Sequence, residues 1–286
     1  MSVDTIGFVG LGNMGSVLAG NLVEAGHEVI THDLSGPGRS PTWAEFVSDL
    51  TQLARRAAVV VLSLPDGGTS EQVARAIAQA PQRKMTHVVD TSTVGVAAAE
   101  AIDGLLTETG ASYVDAPVSG GVAGARARTL SVMYAGTDAA CRVVDPVLTG
   151  LSDRRRRVGE RPGMAQALKL ANNFLSATAL AATSEAIAFG LSVGLEMETM
   201  LEVIDASSGQ SAASRDKFPN HVLTGRYAAG FANSLMSKDL KLYLGAVAAC
   251  GASSALATVT ESVWEQFAAA DPGVDFTRIY PFVAGR

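Results

Sequence analysis

Thr5-Ile6-Gly7-Phe8-Val9-Gly10-Leu11-Gly12-Asn13-Met14-Gly15 is the stretch whose reading decides the fold. Its apolar start is expected to form a buried parallel strand, and Gly10-x-Gly12-x-x-Gly15 to open a helix. Each glycine has a separate physical task. Gly10 permits a tight turn, Gly12 lets a pyrophosphate approach bare backbone, and Gly15 lets helix and strand pack closely. The helix start then offers free N–H groups and the positive end of its dipole to the phosphate. Leu11, Asn13 and Met14 fill out this loop and share its expected contact with a dinucleotide.

The next helix is expected over 13–25, with Leu18, Leu22 and Val23 facing inward and Gly26 stopping it. His27-Glu28-Val29-Ile30-Thr31-His32-Asp33 then reads as a second strand ending in an acid. Asp33 stands 18 positions after Gly15, close to the spacing of the acid that holds adenosine ribose hydroxyls. A carboxylate there repels a 2′-phosphate, and Leu34 and Ser35 follow it rather than an arginine. NAD is therefore expected over NADP, the other reading of Asp33 being a loop cap. Further buried strands are expected at 57–64, 87–90, 113–116 and 130–135, with helices near 49–56, 70–80, 96–106 and 139–148. Strand ends in such sheets face ligands, which marks Leu64, Pro65, Ser92 and Thr93 as cofactor neighbours. The segment Thr91-Ser92-Thr93 serves equally as a cap for the helix that follows it. Ser119-Gly120-Gly121 after a strand presents a hydroxyl and bare N–H groups to a carboxylate, or forms a plain turn.

After Gly159-Glu160-Arg161-Pro162-Gly163 the alternation stops. A long alanine-rich helix is expected from Met164 to about Val193, with more helices near 196–206, 239–250 and 254–269. The fold class is α/β: a doubly wound, mostly parallel Rossmann-type sheet over residues 1–161, then an all-helical substrate and oligomerisation domain over 162–286. In the long helix Ala165, Lys169 and Asn173 share one face. A lysine in an apolar helix is costly unless it faces a cleft or finds a partner, and desolvation lowers its pKa toward neutrality. It is thus a candidate for proton transfer, or an ordinary interface residue.

Composition narrows the classes. Hydrophobic residues make up 48% and charged residues 17% of 286, with a formal charge of -6, which describes a compact globular chain without the basic surface that nucleic acid needs. Arg154-Arg155-Arg156-Arg157 is expected to be a solvated edge-strand face. Cys141 and Cys250 lack metal spacing and read as buried thiols of a reducing compartment. The four histidines form no ligand motif. Polar residues interrupt every long apolar segment, so no membrane partner and a cytoplasmic location are expected.

Four motifs in order resemble the β-hydroxyacid dehydrogenase family, the 3-hydroxyisobutyrate dehydrogenase-like enzymes. They are Gly10–Gly15, Asp115-Ala116-Pro117-Val118-Ser119-Gly120-Gly121, Lys169-x-x-x-Asn173 and Lys238-Asp239-Leu240, and the resemblance spans essentially the whole chain. It implies Lys169 as catalytic acid/base, Asn173 as substrate anchor, and Ser119, Gly120 and Gly121 as holders of a small substrate's carboxylate. It further implies that Lys238, with Phe231 before it, closes the cofactor site, and that the protein is a homodimer or homotetramer. Two positions depart from the family pattern: Ala165 stands where a glycine is usual, and Arg128 precedes Thr129-Leu130, either extending the anion site or facing solvent. The alternatives are an aldehyde or imine reductase of the same fold, against which Lys169 counts, and a catalytically silent NAD-binding interaction protein.

Overall fold

A computed structural model describes residues 5–285. The chain divides into two compact units, Met1–Lys169 and Leu170–Arg286. In the first, the strands are β1 (Ile6–Val9), β2 (Val29–His32), β3 (Glu45–Phe46), β4 (Val59–Leu62), β5 (His87–Asp90), β6 (Ser112–Asp115), β7 (Val118–Ser119), β8 (Ser131–Ala135) and β9 (Arg154–Gly159). Between them lie α1 (Gly15–Glu24), α2 (Leu50–Arg56), α3 (Gly67–Ala78), α4 (Val96–Glu108), α5 (Gly121–Arg126) and α6 (Asp138–Leu151). The sheet order is β3-β2-β1-β4-β5-β6-β8-β7, with β9 on β8. All pairings are parallel except β6 with β8 and β7 with β8.

Strand alternation sends side chains to two separate cores. Ile6 and Phe8 pack with Leu18 and Leu22 of α1 and with Val144, Val147 and Leu148 of α6. Val9, Val60, Leu62 and Val88 pack on the other face with Leu53, Ala74, Ile77, Ala99 and Ile102. Both faces are covered, as a parallel sheet requires, and the doubly wound expectation holds. The strand order reverses direction between β1 and β4, the switch point at which such sheets bind ligands.

The glycine turn occupies that point. Gly10 has φ +97°, and a β-carbon on it would lie 2.2 Å from the Ser63 carbonyl oxygen. One on Gly15 would lie 2.0 Å from the Gly10 oxygen, whereas Gly12 has nothing within 4 Å. So Gly10 turns the chain, Gly15 sets the contact of α1 with the turn, and Gly12 borders open space.

The second unit is helical: the greater part of α7 (Met164–Ser192), α8 (Met197–Asp205), a π-helix at Ala213–Val222, α9 (Asn233–Cys250), α10 (Ala255–Ala270) and α11 (Ile279–Val283). Its core gathers Leu180, Ile187, Phe218, Leu240, Trp264, Phe267, Phe276 and Ile279. By length and composition α7 is apolar enough to cross a bilayer, and 33% of its most apolar window is buried within the chain. Leu175 and Phe189 of α7 are 65% and 70% exposed.

Several expectations are corrected. The β2 and β4 strands span only four residues each. The two-residue β3 escaped notice because nothing so short carries a period. The helix holding Lys238 starts at Asn233 rather than Asp239, so Lys238 lies in its second turn. Cys141 is buried, but Cys250 ends α9 exposed. Arg128, at φ +56°, is only partly exposed. Its guanidinium donates to the carbonyls of Asn21 and Thr149, each at 3.3 Å, near the ends of α1 and α6. The arginine run is only partly solvated: Arg155 pairs with Asp145 at 3.4 Å and Arg157 with Asp138.

The glycine geometry separates two effects that one motif usually blurs. Gly15→Ala must displace backbone and is expected to cost about 1–3 kcal/mol of stability, as overpacking does. Gly12→Ala has room for its methyl and should unfold at the wild-type denaturant midpoint while binding the dinucleotide more weakly. Chemical denaturation and fluorescence titration measure the two; equal loss of stability in both would contradict the geometry.

Candidate active site

Within the first unit, Asp33 follows the last residue of β2 and turns back toward the glycine loop. The Leu11 N–H donates to Asp33 Oδ2 at 2.6 Å and the Ser35 N–H to Oδ1 at 2.7 Å. Burial pushes this carboxyl up, but the Leu11 and Ser35 N–H groups outweigh it, so its pKa lies below the ordinary value of 3.8. Asp33 is therefore ionised at neutral pH, and each oxygen keeps a lone pair for a further donor. Leu11, Gly12, Asp33, Ser35, Gly36, Gly38 and Arg39 line one cavity of about 530 Å³.

Arg39 was not legible as part of this cavity. Its backbone forms a short 3₁₀ turn, Pro37–Arg39, and its Nη1 donates to Asn13 Oδ1 at 3.0 Å. An arginine thus does stand beside the acid, six positions on in sequence, brought back by the turn. The open face of Gly12, the ionised Asp33 and the N-terminal end of α1 suit the pyrophosphate and ribose of a dinucleotide.

At the ends of β4, β5 and β6 the polar groups are tightly engaged. Ser92 Oγ accepts from the Leu64 N–H at 2.8 Å and also bonds Asp90. Thr91 Oγ1 donates to the Leu62 carbonyl at 2.7 Å. These hydroxyls brace the loop that carries Leu64 and the exposed Pro65, while Thr93 is half-buried. The N-cap of α4 is Gly95 and not a residue of 91–93. Gln166 braces the residues just before the helix, its Oε1 accepting from the N–H groups of Val94 at 3.0 Å and Gly95 at 3.2 Å.

Asp90 and Asp115 are register partners at the ends of β5 and β6. Both are fully buried. Burial raises the Asp90 carboxyl. Burial also drives Asp115 up to about 7, against the opposing N–H groups of Gln166 and Gly163. Tyr113 donates to Asp90 Oδ2 at 3.3 Å, and burial followed by the Asp90 charge raises its hydroxyl well above 10. Beyond β6, Ser119 is half-buried at the end of β7, and Gly120 (φ +129°) and Gly121 (φ +66°) make the turn into α5.

Lys169 is only 7% exposed. It closes the first unit, in the second turn of α7. Ala165, one turn before it, is fully buried against Met133 and Ala135. In the second unit Asn173 is buried, and its Nδ2 donates to Asp239 Oδ2 at 2.6 Å. Lys238 Nζ lies 3.3 Å from Asp239 Oδ1. The sequence reading stressed Lys238, yet it is the buried Asp239 that holds both neighbours. Phe231 packs edge-on against Phe276, ring centroids 5.7 Å apart.

A doubly wound sheet of this order, a glycine turn at its switch point and an acid just beyond its second strand define a Rossmann-type dinucleotide-binding protein. Residues 5–159 match the family model described as the NAD binding domain of 6-phosphogluconate dehydrogenase. Residues 163–283 match that described as NAD-binding of NADP-dependent 3-hydroxyisobutyrate dehydrogenase. The chain is 32% identical to the mitochondrial 3-hydroxyisobutyrate dehydrogenase of Drosophila melanogaster, covering 96% of this chain and 88% of that one. It is 35% identical to the 2-(hydroxymethyl)glutarate dehydrogenase of Eubacterium barkeri, over 84% of this chain and 81% of the relative. The solved 3-hydroxyisobutyrate dehydrogenase of Mycobacterium tuberculosis with L-serine superposes with a TM-score of 0.92 at 31% identity, covering 99% of both chains. The chain belongs to the β-hydroxyacid dehydrogenase family.

The buried Asp115 carboxyl makes stability depend on pH. Its pKa is raised in the fold, so between about 4 and about 7 the native protein holds a proton that the unfolded chain has released. Its contribution to stability is complete below that window and is lost as pH rises through it. Asp115→Asn should remove this loss, so wild type should fall progressively behind the variant in melting temperature as pH rises from about 4 to about 7. A difference independent of pH would refute the shift.

Proposed function

We propose that the chain is an NAD-dependent dehydrogenase that oxidises a small β-hydroxy acid of the 3-hydroxyisobutyrate kind to its semialdehyde or keto acid. Lys169 is the general acid/base. The observation that carries this reading is a lysine almost wholly buried on an apolar helix, one turn before a buried asparagine, in a chain of this family. Burying an ammonium without a task is costly.

NAD, when bound, would supply the acceptor for the hydride that leaves the carbinol carbon. Lys169 takes the hydroxyl proton in oxidation and returns it to the forming alkoxide in reduction, a transfer worth about 10²–10⁴ in rate. Asn173, its amide oriented by Asp239, anchors the substrate. Ser119, Gly120 and Gly121 bind its carboxylate through a hydroxyl and backbone N–H groups. Gly10, Leu11, Gly12, Asn13, Met14 and Gly15 receive the pyrophosphate, and Asp33 the adenosine ribose. Leu64, Pro65, Ser92, Thr93, Phe231 and Lys238 complete the cofactor contacts. In functional terms residues 1–161 form the dinucleotide domain and 162–286 the substrate and oligomerisation domain. The exposed apolar face of α7 supports a homodimer or homotetramer, since single chains seldom leave such surfaces to water.

Lys169→Ala should keep NAD binding and lose about 10²–10⁴ in turnover. Turnover within a few-fold of wild type, measured by NADH absorbance over a panel of 3-hydroxy acids including 3-hydroxyisobutyrate, L-serine and glycerate, would overturn the assignment. The same panel with carboxylate-free alcohols, aldehydes and imines separates the reductase alternative.

Asp33 sets the coenzyme. Its charge opposes a 2′-phosphate, while Arg39 across the same cavity would attract one. Asp33→Ser should therefore cut the preference for NAD over NADP by about tenfold, and adding Arg39→Ala should cancel the gain toward NADP. Wild-type preference for NADP would sink the Asp33 argument.

A further inference from the structure

Gln166 is fully buried, and its side chain makes three hydrogen bonds to backbone. Oε1 accepts from Val94 and Gly95, and Nε2 donates to the Ser92 carbonyl at 3.0 Å. The Gln166 N–H donates to Asp115 Oδ2 at 3.0 Å. Every one of these groups lies within the first unit. The first turn of α7 is thereby tied to the end of β6 and to the loop after β5, and Lys169 is the residue three positions further along the same helix.

The pattern is more than a satisfied core amide. A helix start ordinarily takes its cap from an adjacent residue. Here α7 takes its acceptor from Asp115, 51 positions away, and α4 takes its own from the side chain of α7. One amide thus joins the N-terminal ends of two helices through a loop of four residues. An apolar side chain would fill the space but leave the Val94 and Gly95 N–H groups without this acceptor. Such a junction resists rotation of the first turn of α7 about its axis, and any such rotation would carry with it Lys169, three positions further along the helix.

We propose that Gln166 is a positioning residue for Lys169, holding the turn that carries the amine in register with the loop at residues 92–95. This inference rests on the reading of Lys169 as acid/base and of Ser92 and Thr93 as cofactor neighbours. Displacing a reacting group by about 1 Å can cost on the order of 100-fold in rate.

The test is a double-mutant cycle in the full-length protein, following NADH formation with the best 3-hydroxy acid of the panel. Gln166→Met keeps the volume and removes all three side-chain bonds. It should lower kcat by about 100-fold, leave NAD affinity within about threefold, and displace the limb of the kcat/KM pH profile that reports the lysine. In the Lys169→Ala background it should change the residual rate little, because the group it positions is gone. If Gln166→Met does not fold, Gln166→Glu keeps the two acceptor bonds and is read in the same cycle, with a smaller loss expected. A kcat within threefold of wild type overturns the inference while leaving the acid/base reading intact. An equal loss with and without Lys169 also overturns it, as a general packing effect. A Lys169→Ala variant that keeps its turnover overturns the acid/base reading itself and, with it, this one.

Discussion

A β-carbon on Gly15 would sit 2.0 Å from the Gly10 carbonyl oxygen, and the dinucleotide unit depends on that atom being absent. The missing side chain lets α1 start directly above the turn. That start places the N-terminal end of α1 at the switch point of the sheet, beside the open face of Gly12. The turn in turn fixes Leu11, whose N–H reaches Asp33 at the end of β2. One steric constraint therefore aligns β1, α1 and β2, and the cavity at their ends follows from it. The same logic recurs at Gly67, where a β-carbon would meet Ala98 at 2.6 Å and the Val94 carbonyl at 2.9 Å, so that α3 can start close to the loop leading into α4.

A second constraint is electrical. Asp90, Asp115 and Tyr113 are buried together at the ends of β5 and β6. Each isolated charge there would be expensive. The structure meets this with hydrogen bonds from Ser92, Tyr113 and the start of α7, and by raising the carboxyls so that protons are retained to higher pH. These groups touch no solvent. They hold loops and a helix start in place, so their chemistry is that of scaffolding around the strand ends. In the second unit Asp239 has the corresponding task, gripping Asn173 and Lys238 from α9.

Much of this was legible from residues alone. The glycine spacing, the apolar runs and the alanine-rich period of α7 each report local backbone geometry, and they recovered the doubly wound sheet and a long helix of Met164–Ser192. Asp33 was singled out by its distance from the glycines. Lys169 and Asn173 were singled out because polar residues four apart on an apolar helix are conspicuous. Arg39 was missed because a 3₁₀ turn folds it back over the cavity, and no spacing rule anticipates that turn. Arg128 resisted assignment because its partners are main-chain carbonyls, which every sequence possesses equally.

What the sequence by itself determined is whatever depends on neighbours along the chain: the strand-turn-helix at its start, the acid beyond β2, the change from alternating to helical pattern after residue 163, and the motifs of the family. What only the tertiary structure decided is which of these polar groups are already occupied. Ser92 has its hydroxyl committed to Leu64 and Asp90, Asp115 caps a helix, and Gln166 bonds residues 71 to 74 positions away. The physical reason is that hydrogen bonds form between groups brought together by sheet order and helix packing. A glutamine on a helix has the same local signature whether it faces water or joins two helix starts.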